Sequence, residues 1–341
     1  MIRKTYSFIS GMCLMLAWNA VAQQMPNASQ QVDSAQQRRQ LESSANLSAG
    51  TNAAPELYQG ETSDIGPQSV LKMKHRRTYI EVSADEQYFL TDNMFLAKQG
   101  KQHSDVLIST IQAAFAPEAY DFAGGRLSPR IGYQHMWFNY GLLNSGMASV
   151  YDFKTATTKT VKLSALDFNV STVFADAAWR KDNWTFTAGF DFRQLLSSQN
   201  YDSFYREYVG RWSARRSFAV DNTLAFSIGY QGDYRLTSTD LPPFASDFND
   251  RTDQSLDFVG SLLLCNHAIL QPFYRLQFAH YTRINRDDLL SSIGLTLYCP
   301  ITKQITFRTF LSYDIMNTDG FFVQDYRKFD AGLGVNLIVR F

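Results

Sequence analysis

From Phe329 to Phe341, every odd-numbered position is apolar and most even-numbered ones are polar or Gly. A period of two puts successive side chains on opposite faces of an extended chain, so this segment predicts a strand with one greasy face and one wet face. Upstream segments repeat the pattern. Trp184, Phe186, Ala188, Phe190 and Phe192 alternate with Thr185, Thr187, Gly189, Asp191 and Arg193. Leu224, Phe226, Ile228 and Tyr230 alternate with Ser227, Gly229, Gln231, Asp233 and Arg235. Ile305, Phe307, Leu311 and Tyr313 do so with Thr306, Arg308, Ser312 and Asp314.

Between such runs lie two kinds of connection in strict alternation. Tight polar turns are expected at Lys181-Asp182-Asn183, Asp221-Asn222, Leu270-Gln271 and Lys303-Gln304. Longer connections fall near 91–103, 142–161, 197–203, 237–252, 284–287 and 317–325. The strands this predicts are 77–90, 104–116, 128–141, 162–179, 184–196, 204–218, 223–236, 254–268, 272–283, 288–300, 305–316 and 326–341, twelve in all. Two places fit less well: Asp105 to Ala116 is apolar on both faces, and 117–127 is long for a tight turn.

The start of the chain gives the compartment. Met1-Ile2-Arg3-Lys4 is positive, Phe8 to Trp18 is a short apolar run, and Ala20-Val21-Ala22 has the small-x-small form of a cleavage site. This reads as a secretory signal peptide, residues 1–22, removed before Gln23, because the run is shorter than the roughly 20 apolar residues a spanning helix needs. Cys13 follows Gly11-Met12, which lacks the small residue expected beside a lipidated cysteine. Cleavage leaves 30 basic against 32 acidic groups, a balance that argues against nucleic acid as a partner. Cys265 and Cys299 fall on non-neighbouring predicted strands and opposite faces, so two free thiols are expected.

The terminal strand ending on Phe341, with Val339, Leu337, Val335 and Leu333 stepping back by twos, resembles the strand by which bacterial outer-membrane β-barrels are recognised for insertion. The resemblance covers residues 77–341 and reaches no subfamily. It implies an all-β fold, a transmembrane antiparallel up-and-down barrel of about 12 strands in the cell outer membrane of a Gram-negative-type bacterium, with residues 76–341 as the barrel. Its partners would be outer-membrane lipids, lipopolysaccharide, the barrel-assembly machinery and small polar solutes. Short turns and both termini would then face the periplasm. A soluble sandwich would alternate too, but strands of 12 or more residues and Trp179 and Trp184 flanking one short turn suit a membrane girdle.

In such a barrel an Arg or Lys against lipid costs about 2–4 kcal/mol at mid-bilayer, so the charged faces are expected inward. The expected pore-lining set is Asp191, Arg193, Glu207, Arg211, Arg215, Asp233, Arg235, Asp257, Arg275, Arg308, Asp314 and Asp330, with Glu81, Asp85, Arg130, Asp167, Lys328 and Arg340 on the same faces. The arginines cluster on consecutive strands, which suggests an electropositive wall facing acids from the early and late strands. The alternative is a salt-bridge network that fills a narrow lumen; twelve strands lie between the filled and the open cases.

Residues 23–75, rich in Gln, Ser, Ala and Asn, read as a flexible, disordered leader in the periplasm. Within it, Gln30 to Glu42 is the one stretch able to turn helical, and a plug folded into the barrel is the sharper alternative. Loop 142–161 could fold into the mouth as a constriction. No histidine has Ser two residues on, as a lipase site of the outer-membrane phospholipase kind would require, so no enzyme and no catalytic residues are expected. Cys265 and His267 alone have ligand-like spacing, too few for a metal, and no cofactor motif is present. The acids of loop 237–253 match no defined calcium loop. The functional expectation is a porin-like channel for passive passage of small hydrophilic solutes through a charged lumen, with a non-conducting barrel whose loops bind a partner as the alternative.

Overall fold

The computed structural model describes residues 24–45, 79–152, 157–239, 246–264, 268–320 and 324–341. The signal peptide, residues 46–78, Cys265 and His267 lie outside the described residues.

Among the described residues, fifteen strands follow an α-helix, α1 (Gln24–Ala45): β1 (Ile80–Thr91), β2 (Ser104–Phe115), β3 (Tyr120–Phe122), β4 (Gly125–Tyr140), β5 (Met147–Asp152), β6 (Thr157–Lys162), β7 (Phe168–Lys181), β8 (Trp184–Ser197), β9 (Ser203–Ala219), β10 (Leu224–Thr239), β11 (Arg251–Leu263), β12 (Ile269–Tyr281), β13 (Asp287–Pro300), β14 (Ile305–Thr318) and β15 (Tyr326–Arg340). Twelve of them, β1, β2, β4 and β7 to β15, form one antiparallel up-and-down sheet that closes on itself. Closure runs through β1, whose Val82 faces Val339 of β15 on one side and Ala113 of β2 on the other. Phe341 completes the seam, donating its N–H to Ile80 O at 2.9 Å and accepting from Tyr79 N–H at 2.8 Å. A closed sheet leaves no unpaired edge, which is what a hydrocarbon surround demands.

The two irregular places in the sequence have local explanations. The long connection after β2 folds as a hairpin: Phe122 pairs with Gly125 across Ala123 and Gly124, whose φ values of 49° and 74° make the two-residue turn. Residues 162–167, expected at the start of the fourth barrel strand, lie outside the barrel: Lys162 ends β6, which pairs with β5 (Met147–Asp152) as a separate hairpin in the loop, and Leu163–Leu166 form one 3-10 turn. The barrel strand therefore begins at Phe168. Asp167, expected inside the lumen, precedes it and accepts the Tyr140 N–H at 2.8 Å.

Alternation sorts the side chains as the pattern requires. Phe190, Phe226, Ile228, Phe258, Leu311, Leu333, Val335 and Leu337 are exposed on the outer wall. Asp191, Arg193, Asp233, Arg235, Arg308 and Asp314 are buried inside. Glu86 is an exception at mid-strand, pointing outward and accepting from Ser109 Oγ at 2.7 Å. Trp179 and Trp184 sit at one short turn, with the Arg216 guanidinium 5.3 Å above the Trp184 ring. Cys299 is a free thiol.

The stretch able to turn helical lies within α1, which occupies the lumen. It contains good helix formers and no Gly, and its Pro26 stands in the first turn, where a missing N–H costs nothing. At 1.5 Å per residue it is roughly 33 Å long, about the depth of a bilayer core. It is polar, and no described helix is apolar enough to cross a membrane.

Candidate functional site: the lumen

Ala28, Val32 and Ala35 recur at i, i+4 and i+7 and form one stripe on α1. All three are buried in a cluster with Phe89, Val106, Ile108, Met136, Phe138, Phe168, Val170, Leu195 and Phe310. This accounts for β2 being apolar on both faces: its outer face meets lipid and its inner face, through Val106 and Ile108, meets the helix. Ala148 and Leu163, at the base of the β5–β6 hairpin, join the same cluster. The base of that hairpin is thus packed on the same apolar cluster as the helix.

The rest of α1 faces charge. The Asp33 carboxylate meets Arg235 Nη1 at 3.0 and 2.9 Å, Arg193 Nη1 at 3.1 Å and Arg251 Nη2 at 3.4 Å. Acids of the wall also hold these arginines. Glu207 contacts Arg193, and Asp253 lies 2.8 Å from Arg235 and 3.0 Å from Arg251. Asp233 lies 3.1 Å from Arg235. Arg193 Nη2 also donates to Gln36 Oε1 at 2.7 Å. On another side of the helix, Arg38 lies 3.3 Å from Asp330 and is stacked between Phe89 and Phe310, 4.5 and 4.8 Å from their ring centres. Gln31 donates to the Met94 carbonyl at 2.9 Å and accepts from the Tyr140 hydroxyl. Cavities of about 50 and 20 Å3 flank the helix here, about the space of one or two waters.

Beyond Gln36 and Arg39 the lumen opens into a cavity of about 1140 Å3 at the short-turn end. Its walls are also charged. Arg130 grips Asp176 with two hydrogen bonds, 3.0 and 2.9 Å, and Arg211 lies 3.2 Å from Asp176 and 3.1 Å from Asp191. Arg215 pairs with Asp257 at 2.6 Å and Arg340 with Glu81 at 2.8 Å.

All twelve residues of the expected set face inward, yet they do not form two opposed walls. Arginines and acids interleave: Arg308 pairs with Asp85 at 2.7 Å, and Lys328 bridges Asp314 and Asp330 at 3.2 and 3.0 Å. Arg275 faces Asp257 across the β11–β12 pair and donates to Ser255 Oγ at 3.0 Å. Adjacent strands of opposite charge neutralise one another before any long-range field can build up. The sequence reading missed Asp33, Arg38, Asp176, Arg251 and Asp253. The i, i+4, i+7 stripe around Asp33 was the available signal for the first two.

On the outer wall, His135 Nδ1 lies 2.9 Å from Ser171 Oγ on the neighbouring strand, and Tyr133 Oη lies within 3.1 Å of both. Polar groups on a lipid-facing wall satisfy one another in this way.

A closed sheet, an apolar outer band and a charged interior fit a single surround, a membrane outside and water within. The protein is an outer-membrane β-barrel. Long loops mark its extracellular end, and the open cavity lies at the periplasmic end. No protein-family model matches the chain, and no curated protein matches it. Among solved structures the barrel is similar to an outer membrane channel from Pseudomonas putida F1, with 9% identity over 82% of this chain and 99% of that one and a TM-score of 0.49. The β domain of the Bordetella autotransporter Brka gives 14% identity over 75% and 98% of the two chains, with a TM-score of 0.40. The KdgM porin gives 12% over 75% and 98%, with a TM-score of 0.36.

Proposed function

We propose that this barrel is a porin-like channel for small hydrophilic solutes, and that α1 is the plug that closes it. The observation that carries this reading is the form of the lumen: a charged cavity of about 1140 Å3 ends against a helix that is held largely by ion pairs and hydrogen bonds. Such contacts can be exchanged for contacts with water, whereas a helix sealed on all sides by apolar packing could not leave without exposing a core. Residues 23–75 are then a leader that carries the plug, and the charged groups of the inner wall, with Arg211 and Arg215 among those lining the open cavity, set solute preference. The segment Leu333 to Phe341 serves insertion by the barrel-assembly machinery, and the outer wall meets lipid and lipopolysaccharide. The reading involves no enzymatic step.

The test is single-channel conductance of the refolded chain in a planar bilayer, compared with a variant lacking residues 24–45. Rare or small steps from the full chain and large, steady steps from the shortened one are expected. Silence from both, in protein shown to be folded, overturns the channel reading.

A further inference from the structure

Three guanidinium groups converge on one carboxylate in the outer half of the lumen, and that carboxylate belongs to α1 rather than to the barrel. Arg193, Arg235 and Arg251 are each at most 4% exposed, and all three reach the two oxygens of Asp33. Arg235 comes closest to a cradle by itself, with one nitrogen shared between both oxygens. Glu207, Asp253 and Asp233 also pair with the three arginines, Glu207 through the same Arg193 nitrogen that meets Asp33, so the wall itself gathers the donors at this place. With those three acids the wall by itself is neutral, and Asp33 is the extra charge that it accepts.

We propose that Arg193, Arg235 and Arg251 form a carboxylate-binding site of the barrel, that Asp33 occupies it as an internal mimic, and that the solutes served are small carboxylates. This names the solute class for the channel reading and rests on it for the route of entry. Specificity follows from geometry. Planar N–H groups set around two oxygens suit a planar carboxylate, and a neutral sugar offers no charge to replace the one withdrawn. The site adjoins the periplasmic cavity through Gln36, which bonds Arg193 and lines that cavity. A carboxylate solute that takes the three arginines removes the main charged hold on α1, so the cargo itself loosens the plug.

Binding can be tested apart from conduction by chemical rescue in the full chain. Asp33→Ala leaves the space of one carboxylate group, and the melting temperature of the detergent-folded variant is followed against added formate, acetate, glucose and phosphate. Formate and acetate are expected to raise it by several degrees more than they raise the unaltered chain, and glucose to do nothing. Equal melting shifts in both chains overturn the site, and a phosphate effect as large as that of acetate overturns the carboxylate class. Arg235→Gln, added to Asp33→Ala, should abolish the rescue; persistence of the rescue would also overturn the assignment. Conduction is read separately. Rescue without any channel steps, from either Asp33→Ala or the unaltered chain with glucuronate, keeps the site and removes the channel reading. Steps from Asp33→Ala that glucuronate neither induces in the unaltered chain nor blocks in the variant keep the channel and overturn the solute class.

Discussion

The two halves of the lumen are made by the same twelve strands with the same alternation, yet the extracellular half is filled and the periplasmic half is open. Charge does not separate them. Arg193, Arg235 and Arg251 stand in the filled half, and Arg130, Arg211 and Arg215 in the open one, each with acid neighbours. What differs is the early part of the wall. In the filled half, β1, β2, β4 and β7 bring the apolar side chains Phe89, Val106, Ile108, Met136, Phe138 and Val170 inward, while toward the periplasm the same strands offer Glu81, Gln112, Arg130 and Asp176. A helix with an apolar stripe on one face and Asp33 on another can settle only where one wall is apolar and another offers guanidinium donors. The difference teaches that occupancy of a barrel lumen is decided by matching faces on both sides, and not by strand number.

That contrast can be broken most severely at Val32, which is fully buried against the apolar wall. Val32→Asp places an unpaired charge there, at a cost of several kcal/mol, and should expel α1 while leaving the barrel intact. Channel occupancy should rise at least about tenfold in bilayer recordings, and protease added to the folded protein should cut within residues 24–45. Arg38→Ala is the next largest effect. It removes a partner of Asp330 and the filling between Phe89 and Phe310, and should lower stability by about 3 kcal/mol, the low end for a broken buried pair because Lys328 still holds Asp330. Chemical denaturation in detergent would measure it.

In the open half, Arg211→Ser with Arg215→Ser should leave the plug in place but uncover Asp176, Asp191 and Asp257. Reversal potentials in a salt gradient should move toward cation preference, and an unchanged potential would place these arginines off the conduction path. The smallest effect is expected at the loop pair Lys98–Asp325, 3.0 Å apart and solvent-exposed. The Thr318 N–H and then Lys98 hold the Asp325 carboxyl below its ordinary value of 3.8. A depressed carboxyl stabilises the fold above that value and loses the contribution as pH falls through its own lower one. Lys98→Ala should thus cost under about 0.5 kcal/mol at pH 7 and nothing in strong acid, as read from melting curves at the two pH values.

Much of the barrel was legible because a membrane enforces a simple code. Every strand in lipid must alternate, so Trp184 to Arg193 announces both its structure and its two faces, and all twelve barrel strands overlap their expected ranges. Errors arose where that code does not operate. Residues 162–167 lie above the membrane, where a local hairpin and a 3-10 turn compete successfully with the barrel strand. Asp105 to Ala116 looked ambiguous because its inner face answers to the helix instead of to water.

The sequence by itself determined the strands, their facing and the inward set from Asp191 to Asp330, since each follows from periodicity over neighbouring residues. Only the tertiary structure decided which charges meet. Asp33 reaches Arg235 across 202 positions, and Arg38 reaches Asp330 across 292. Short-range pattern carries no information on such pairs. They exist because a closed barrel brings distant strands to one axis, and because a helix on that axis presents its faces to all of them.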